Sequence, residues 1–290
     1  MLPPRVLTVE DLPAGSSVIA CAAVGRLVTH AGTGVTVPEP GMKAAVDALT
    51  VNGSAHGFTL EVDADGRISY DLTDTAAEKP AHAAAAPARA GGACDDGAYA
   101  TAGRKKYGTY QWFLGDGPLP GNLSRADARR AFEEAIATIT TSRNDCGLAD
   151  KVSAKARYVS RTSRRAGIDR KGHCTARDGL SVWDAGDLGG DVVALTCSWS
   201  RRVTGRPDAL READVRFNVD DYVFTNNPSA DCTDAYDIRS VATHEAGHVF
   251  GLAHVGPGHE GLTMYPTSFL CSTSARTLGR GDVLGLRALY

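Results

Sequence analysis

With 290 residues, 43% of them hydrophobic, the chain can bury a sizeable core as one large domain or as a smaller one with an appendage. Its 31 basic and 34 acidic side chains leave a formal net charge of −3, which gives no basic field to draw nucleic acid or an anionic membrane. No apolar run reaches the length of about 18 residues needed for a membrane-spanning helix, and nothing in the composition requires oligomerisation, so a monomer is expected.

At the N-terminus, the apolar run Val18–Val24 has the minimum length of an export-signal core, and Val18-Ile19-Ala20-Cys21 loosely resembles a lipoprotein cleavage box. Glu10 and Asp11 stand where such a signal carries positive charge, and a buried strand explains the run equally well. Residues 33–73 read as strand-rich. The segment GFTLEVDADGRISYDL alternates apolar and polar residues about Asp65-Gly66, which predicts a hairpin because both residues tolerate positive φ. Asp63 and Asp65 are assigned to that turn rather than to a calcium loop, which needs further ligands.

Residues 75–93 (TAAEKPAHAAAAPARAGGA) are low-complexity Ala/Pro/Gly and are expected to be an exposed linker. This divides the chain into an N-terminal region (1–74), the linker (75–93) and a main domain (94–290). In the main domain TYQWFL (109–114) predicts a strand. LSRADARRAFEEAIATI (123–139) predicts a helix with Ala128, Phe132, Ala135, Ile136 and Ile139 on one face behind the cap Ser124. Strands are expected over 152–160, 180–186, 191–199 and 211–224, and helices over 238–250 and 281–289.

Six of the seven cysteines (Cys94, Cys146, Cys174, Cys197, Cys232, Cys271) lie after residue 90 and none forms a CxxC pair. An even number of dispersed cysteines fits three disulfides in an oxidising compartment, hence a secreted protein. Pairing of sequence neighbours (Cys94 with Cys146, Cys174 with Cys197, Cys232 with Cys271) is adopted among the many connectivities open. Buried free thiols in a cytosolic protein are the alternative, and Cys21 stands apart.

The densest chemistry is HEAGHVFGLAH, residues 244–254. His244 and His248, four residues apart, share one helical face about 6 Å apart along the axis, so both imidazoles can reach one metal ion. On a continued helix His254 would lie about 15 Å along the axis from His244 and off that face. Gly251 can end the helix in the left-handed conformation and turn the chain back, so that His254 supplies a third nitrogen. Three nitrogens leave one position of a tetrahedral zinc open, the arrangement of a catalytic site. Glu245, beside the first ligand, is the natural general base.

This motif, followed ten residues later by Met264 in LTMYPT, resembles the zinc-binding helix and Met-turn of the metzincins. LTMYP and the tail LGRGDVLGLRALY (278–290) are most similar to the matrixins, the matrix-metalloprotease-related branch, in the style of its bacterial secreted members. The resemblance is strong over 236–290, looser back to 109, and does not reach the N-terminal third. It implies an α+β (α/β-type) fold: a twisted mixed sheet with an edge strand along the cleft, a long active-site helix, a Met-turn and a C-terminal helix, behind a small strand-rich propeptide-like region. It also implies an endopeptidase acting on extended protein or peptide substrates, with one catalytic Zn2+ on His244, His248 and His254 and with Glu245 as base. Met264 would form the floor beneath the zinc. Tyr265, Pro266 and Thr267 would line one wall of the substrate pocket, and Ala194 and Leu195 would belong to the edge strand whose unpaired backbone holds the substrate. ADVRFNVDD resembles the family's calcium-binding turn and offers Asp214, Asp220 and Asp221 as candidate Ca2+ ligands against the reading of a solvated acidic turn.

The sequence departs from the family pattern in four places. Val255 replaces the serine usual after the third histidine. The HxD motif of a second, structural zinc is missing, so disulfides are expected to brace those loops. Gly281 takes the first place of an acidic pair, leaving Asp282 to support the Met-turn or cap its helix. The cysteine-switch motif PRCGxxD is absent from 1–93. His173 and His259 are expected at the surface. The competing readings are a latent or non-catalytic zinc-binding module of the same fold, and a peptidase of another metzincin branch with Asp or Glu as third ligand.

Overall fold

In the computed structural model, which describes residues 6–52, 55–75 and 92–290, each of the three helices starts on a side-chain acceptor. Ser124 Oγ accepts the Asp127 N–H at 3.2 Å to open α1 (Arg125–Thr140), and Asp237 Oδ1 accepts the Ser240 N–H at 2.8 Å to open α2 (Ile238–Val249). Asp282, inside α3 (Arg280–Leu289), reaches back to accept the Gly279 N–H at 2.8 Å. The expected apolar face of α1 is buried, and Phe132 stacks between Trp183 and Phe217 with ring centroids 5.2 Å from each.

Among the described residues, six strands precede residue 92: β1 (Val6–Thr8), β2 (Leu27–His30), β3 (Thr33–Thr36), β4 (Met42–Thr50), β5 (Ala55–Val62) and β6 (Ile68–Thr75). β5 and β6 form the hairpin expected at Asp65-Gly66, with Gly66 at φ 78°. The apolar run Val18–Val24 forms turns instead of a strand: Val18 and Ala23 are buried while Ile19 and Val24 point outward. The stretch expected to be a linker falls, over 76–91, outside the described residues.

Five longer strands follow: β7 (Thr109–Leu114), β8 (Lys155–Arg161), β9 (Ser181–Gly186), β10 (Val192–Arg201) and β11 (Asp208–Asn218). The strand expected over 211–224 is interrupted after Asn218, because the Asn218 amide donates to Asp221 and closes a turn before Val223–Thr225. The large sheet runs β8-β7-β9-β11-β10-β4-β5-β6, with Arg104–Lys105 pairing on β11. β7, β8, β9 and β11 are mutually parallel, whereas β10, β4, β5 and β6 continue antiparallel. A second sheet orders β1, β2, β3 and the short strand His173–Cys174. The architecture is mixed α+β.

Two apolar cores flank β10. One gathers the three helices against Tyr110, Trp112, Trp183 and Phe217; the other packs Val46, Phe58 and Leu60 against Val182, Leu195, Cys197 and Trp199. Residues 6–75 therefore share their core with 166–199. Three disulfides join Cys94 to Cys146, Cys174 to Cys197 and Cys232 to Cys271, the neighbour pairing adopted from the sequence. Cys21 is the free cysteine among the described residues. His173 is buried rather than at the surface, held by Asp169 at 2.9 Å, and His259 is partly exposed against Asp96 at 2.8 Å.

The chain after Gly92 crosses the start of α3: Ala93 O accepts the Arg280 N–H at 2.8 Å, and a Cβ on Gly281 would lie 1.8 Å from Ala98 O. This close approach accounts for glycine where the family places an acidic residue. Gly281→Ala should therefore destabilise the fold by about 1–3 kcal/mol or more, measured by denaturant unfolding, because backbone rather than a flexible side chain blocks the new methyl. Unchanged stability would contradict this packing.

Candidate metal centre

α2 carries His244 and His248 on one face, and the helix stops at Phe250 as the spacing requires. Gly251 then takes φ 94°, and its N–H donates to His248 O at 3.0 Å, closing the turn. The reversal brings His254 back: the Nε2 atoms of His244, His248 and His254 lie 3.0–3.1 Å from one another. A second demand falls on the same glycine, since a Cβ there would sit 2.0 Å from Arg104 O.

The other face of two rings fixes the tautomer. His244 Nδ1 lies 2.7 Å from Thr263 O and His248 Nδ1 lies 3.2 Å from Leu252 O. A carbonyl oxygen only accepts, so both Nδ1 atoms donate and both Nε2 atoms carry lone pairs toward the centre. Burial pushes all three imidazoles down to about 3, so they are neutral, the form that binds metal. Inward lone pairs this close repel unless a cation lies among them. Tetrahedral zinc with Zn–N near 2.0–2.1 Å needs nitrogens about 3.3 Å apart, so the three side chains fit zinc. Among the described residues they are the one His/Cys/Asp/Glu group gathered tightly enough to hold a metal.

Glu245 is 0% exposed, and burial pushes its carboxyl up against the opposing effect of the Thr196 hydroxyl, which donates to Oε2 at 2.6 Å. Its other oxygen, Oε1, is buried without a partner among the described residues. A buried carboxylate oxygen without a partner is uncommon in a folded chain, and this one belongs to the residue that follows His244.

Met264 lies under the helix: its side chain passes so close to Gly247 that a Cβ there would be 2.2 Å from the Met264 Sδ. Its backbone is held by Asp282, which accepts the N–H groups of Thr263 (2.9 Å) and Met264 (3.2 Å). Burial pushes the Asp282 carboxyl up to about 6. Asp282 thus accepts backbone N–H groups from the residue before its own helix and from the Thr263–Met264 turn. Val255 is buried and donates its N–H to Met264 O at 3.1 Å, so the residue replacing serine packs inside the turn.

The pocket beside His244 is lined by Ser240, Leu262, Thr263, Thr267 and Phe269. Thr267 thus lines it, Pro266 contributes its carbonyl to Thr50 N–H at 3.2 Å, and Tyr265 stacks on Phe269 at 6.3 Å. Ala194 and Leu195 lie buried on β10. The backbone groups expected to be unpaired along that strand are engaged, because β4 pairs with β10 from Val192↔Thr50 to Arg201↔Met42. Asp214 is buried, taking the N–H groups of Gly167 (2.6 Å) and Val182 (2.7 Å), while Asp220 and Asp221 are exposed beyond the strand end. The three candidate calcium ligands do not converge.

Several residues of the site escaped the sequence reading, among them Thr196 on the Glu245 carboxylate and Leu49 in the pocket wall. Gly247 had a signal, being a glycine inside a helix where close approach is the usual reason. Arg104 Nη2 donates to His248 O and to Asp47, both at 3.0 Å, and Asp47 comes from β4; no local pattern announces either. Gly251→Ala should weaken zinc binding roughly 10–100-fold by competition with a chelating dye, as for loss of a ligand's support; unaltered affinity would refute the role given to this turn.

Residues 187–290 match the family model of the matrixins (Peptidase_M10, Matrixin). A comparison with curated proteins found no match. The matched span contains α2, the Gly251 reversal, the three histidines, Met264 and Asp282, and it is this part of the chain that is similar to the matrixins.

Proposed function

We propose that the chain is a zinc-dependent endopeptidase whose catalytic domain begins near residue 94 and which cleaves peptide bonds in extended protein substrates. The observation that carries this reading is the convergence of three Nε2 atoms within 3.1 Å beside the buried, half-partnered carboxylate of Glu245. His244, His248 and His254 would hold the metal. When bound, zinc supplies a Lewis acid that polarises the peptide carbonyl and acidifies water.

The remaining work falls to the chain. Glu245 accepts the proton of the attacking water at Oε1 and later passes it to the leaving amine, while the Thr196 hydroxyl holds Oε2 in place. Met264 keeps the helix floor dry, and Asp282 fixes the Met-turn that carries it. Tyr265, Pro266 and Thr267 form one side of the substrate channel and Ala194 and Leu195 the other. Three disulfides support export to an oxidising compartment, and no described helix is long and apolar enough to cross a membrane.

A second reading, a metzincin-fold module kept latent, is favoured by one observation: Glu245 is 0% exposed and His248 is 0% exposed in the full chain. The two readings separate after proteolytic cutting within residues 76–91. In cut protein Glu245→Ala should retain zinc and fold yet lose casein hydrolysis by roughly 10²–10⁴-fold. Equal turnover by the variant, or no turnover by zinc-loaded wild-type protein, would overturn the enzymatic reading.

A further inference from the structure

Residues 151–165 carry Lys151, Lys155, Arg157, Arg161, Arg164 and Arg165 and not one Asp or Glu, in a chain whose formal net charge is −3. The fold lays this run along β8, the outermost strand of the large sheet, which pairs with β7 on one side and with no strand on the other among the described residues. Little of the charge is neutralised: Arg161 stands 4.0 Å from Asp116 and Arg164 3.8 Å from Asp178, and the other four cations form no ion pair among the described residues. Between β8 and α1 lies a cavity of about 370 Å³. Its floor is apolar, made by Trp112, Ile136 and Tyr158, and its rim on α1 carries Arg129 and Glu133. The Trp112 and Tyr158 rings are 5.0 Å apart, and the Arg129 guanidinium covers Tyr158 at 5.3 Å.

We propose that β8 is a docking edge for an acidic, strand-forming segment of a partner protein, which extends the sheet by one strand and covers the groove beside α1. Successive side chains of a strand point to opposite faces, so Ala156 and Tyr158, both partly buried, face the groove while the exposed Lys155 and Arg157 face away from it. The partner therefore needs a period of two: apolar side chains at alternate positions enter the groove, and the carboxylates between them face Lys155 and Arg157. Positive charge keeps this edge from pairing with itself, since a second copy would bring cation against cation, and it selects a strand of opposite sign. A polyanionic sugar or a nucleic acid would use the charge alone and leave the backbone groups and the apolar groove unused. The edge lies four strands from β10, roughly 19 Å across the sheet, and its docking role does not rest on the peptidase reading.

The probe is a fluorescent seven-residue peptide in which Val and Glu alternate, matched to the length of β8, and its binding to the intact chain is followed by anisotropy. A peptide of the same composition with its Glu residues grouped in one block is the control. The alternating peptide should bind and should slow amide hydrogen exchange within residues 155–161, as backbone pairing requires, and the grouped one should bind at least roughly tenfold more weakly. Two substitutions at exposed positions separate charge from groove: Arg157→Glu reverses a cation of the edge, and Ala137→Trp fills the groove from α1 without altering charge. Each should weaken the alternating peptide at least roughly tenfold, the loss expected for one anchoring contact. No binding, equal binding of the two peptides, unchanged exchange over 155–161, or an Ala137→Trp variant that binds as tightly as the wild type would overturn the proposal. Binding of heparin or of a DNA oligonucleotide in preference to the alternating peptide would assign the edge to polyanions and overturn it as well.

Discussion

Everything at the centre of this protein depends on one chain reversal. A helix can offer two imidazoles from one face but never a third at usable distance, and the third arrives because Gly251 leaves the helical conformation at φ 94°. The same glycine lets Arg104 O approach to where a methyl would stand, and Arg104 in turn donates to the His248 carbonyl near the end of the helix. Met264 needs a comparable concession from Gly247. The metal centre is thus built by removing side chains as much as by supplying them.

The second constraint is that a β-strand has two hydrogen-bonding sides. β11 takes one side of β10, and the N-terminal strands take the other. The shared core of Val46, Phe58, Val182, Leu195 and Trp199 makes that arrangement part of the fold rather than a loose contact. Its effect on the site is direct: the proposed base and two of the histidines lose nearly all contact with solvent. All three disulfides join cysteines between Cys94 and Cys271.

How much of this was legible in the sequence follows from the range of each interaction. The histidines, Glu245, Gly251 and the α1 face were legible because helical period and a turn residue act within a dozen positions. The hairpin at Asp65-Gly66 is equally local. The pairing of Met42–Thr50 with Val192–Arg201 joins segments some 150 residues apart, and strand alternation says that a strand exists without naming its neighbour. For that reason Asp47, Leu49 and Arg104 went unread, and β10 was expected to have an open edge. Gly281 was visible as a departure from the family, but its cause, the backbone of Ala98, lies on another segment.

Three converging imidazoles, the third delivered by the turn at Gly251, offer one metal ion a common site. Plasma mass spectrometry of the purified, dialysed full-length chain and of His254→Ala tests whether they hold it. One zinc per chain is expected in the wild type, with its loss on dialysis in the variant. A folded wild type that binds no zinc when supplied with it, or a His254→Ala variant that keeps a full equivalent, would contradict it.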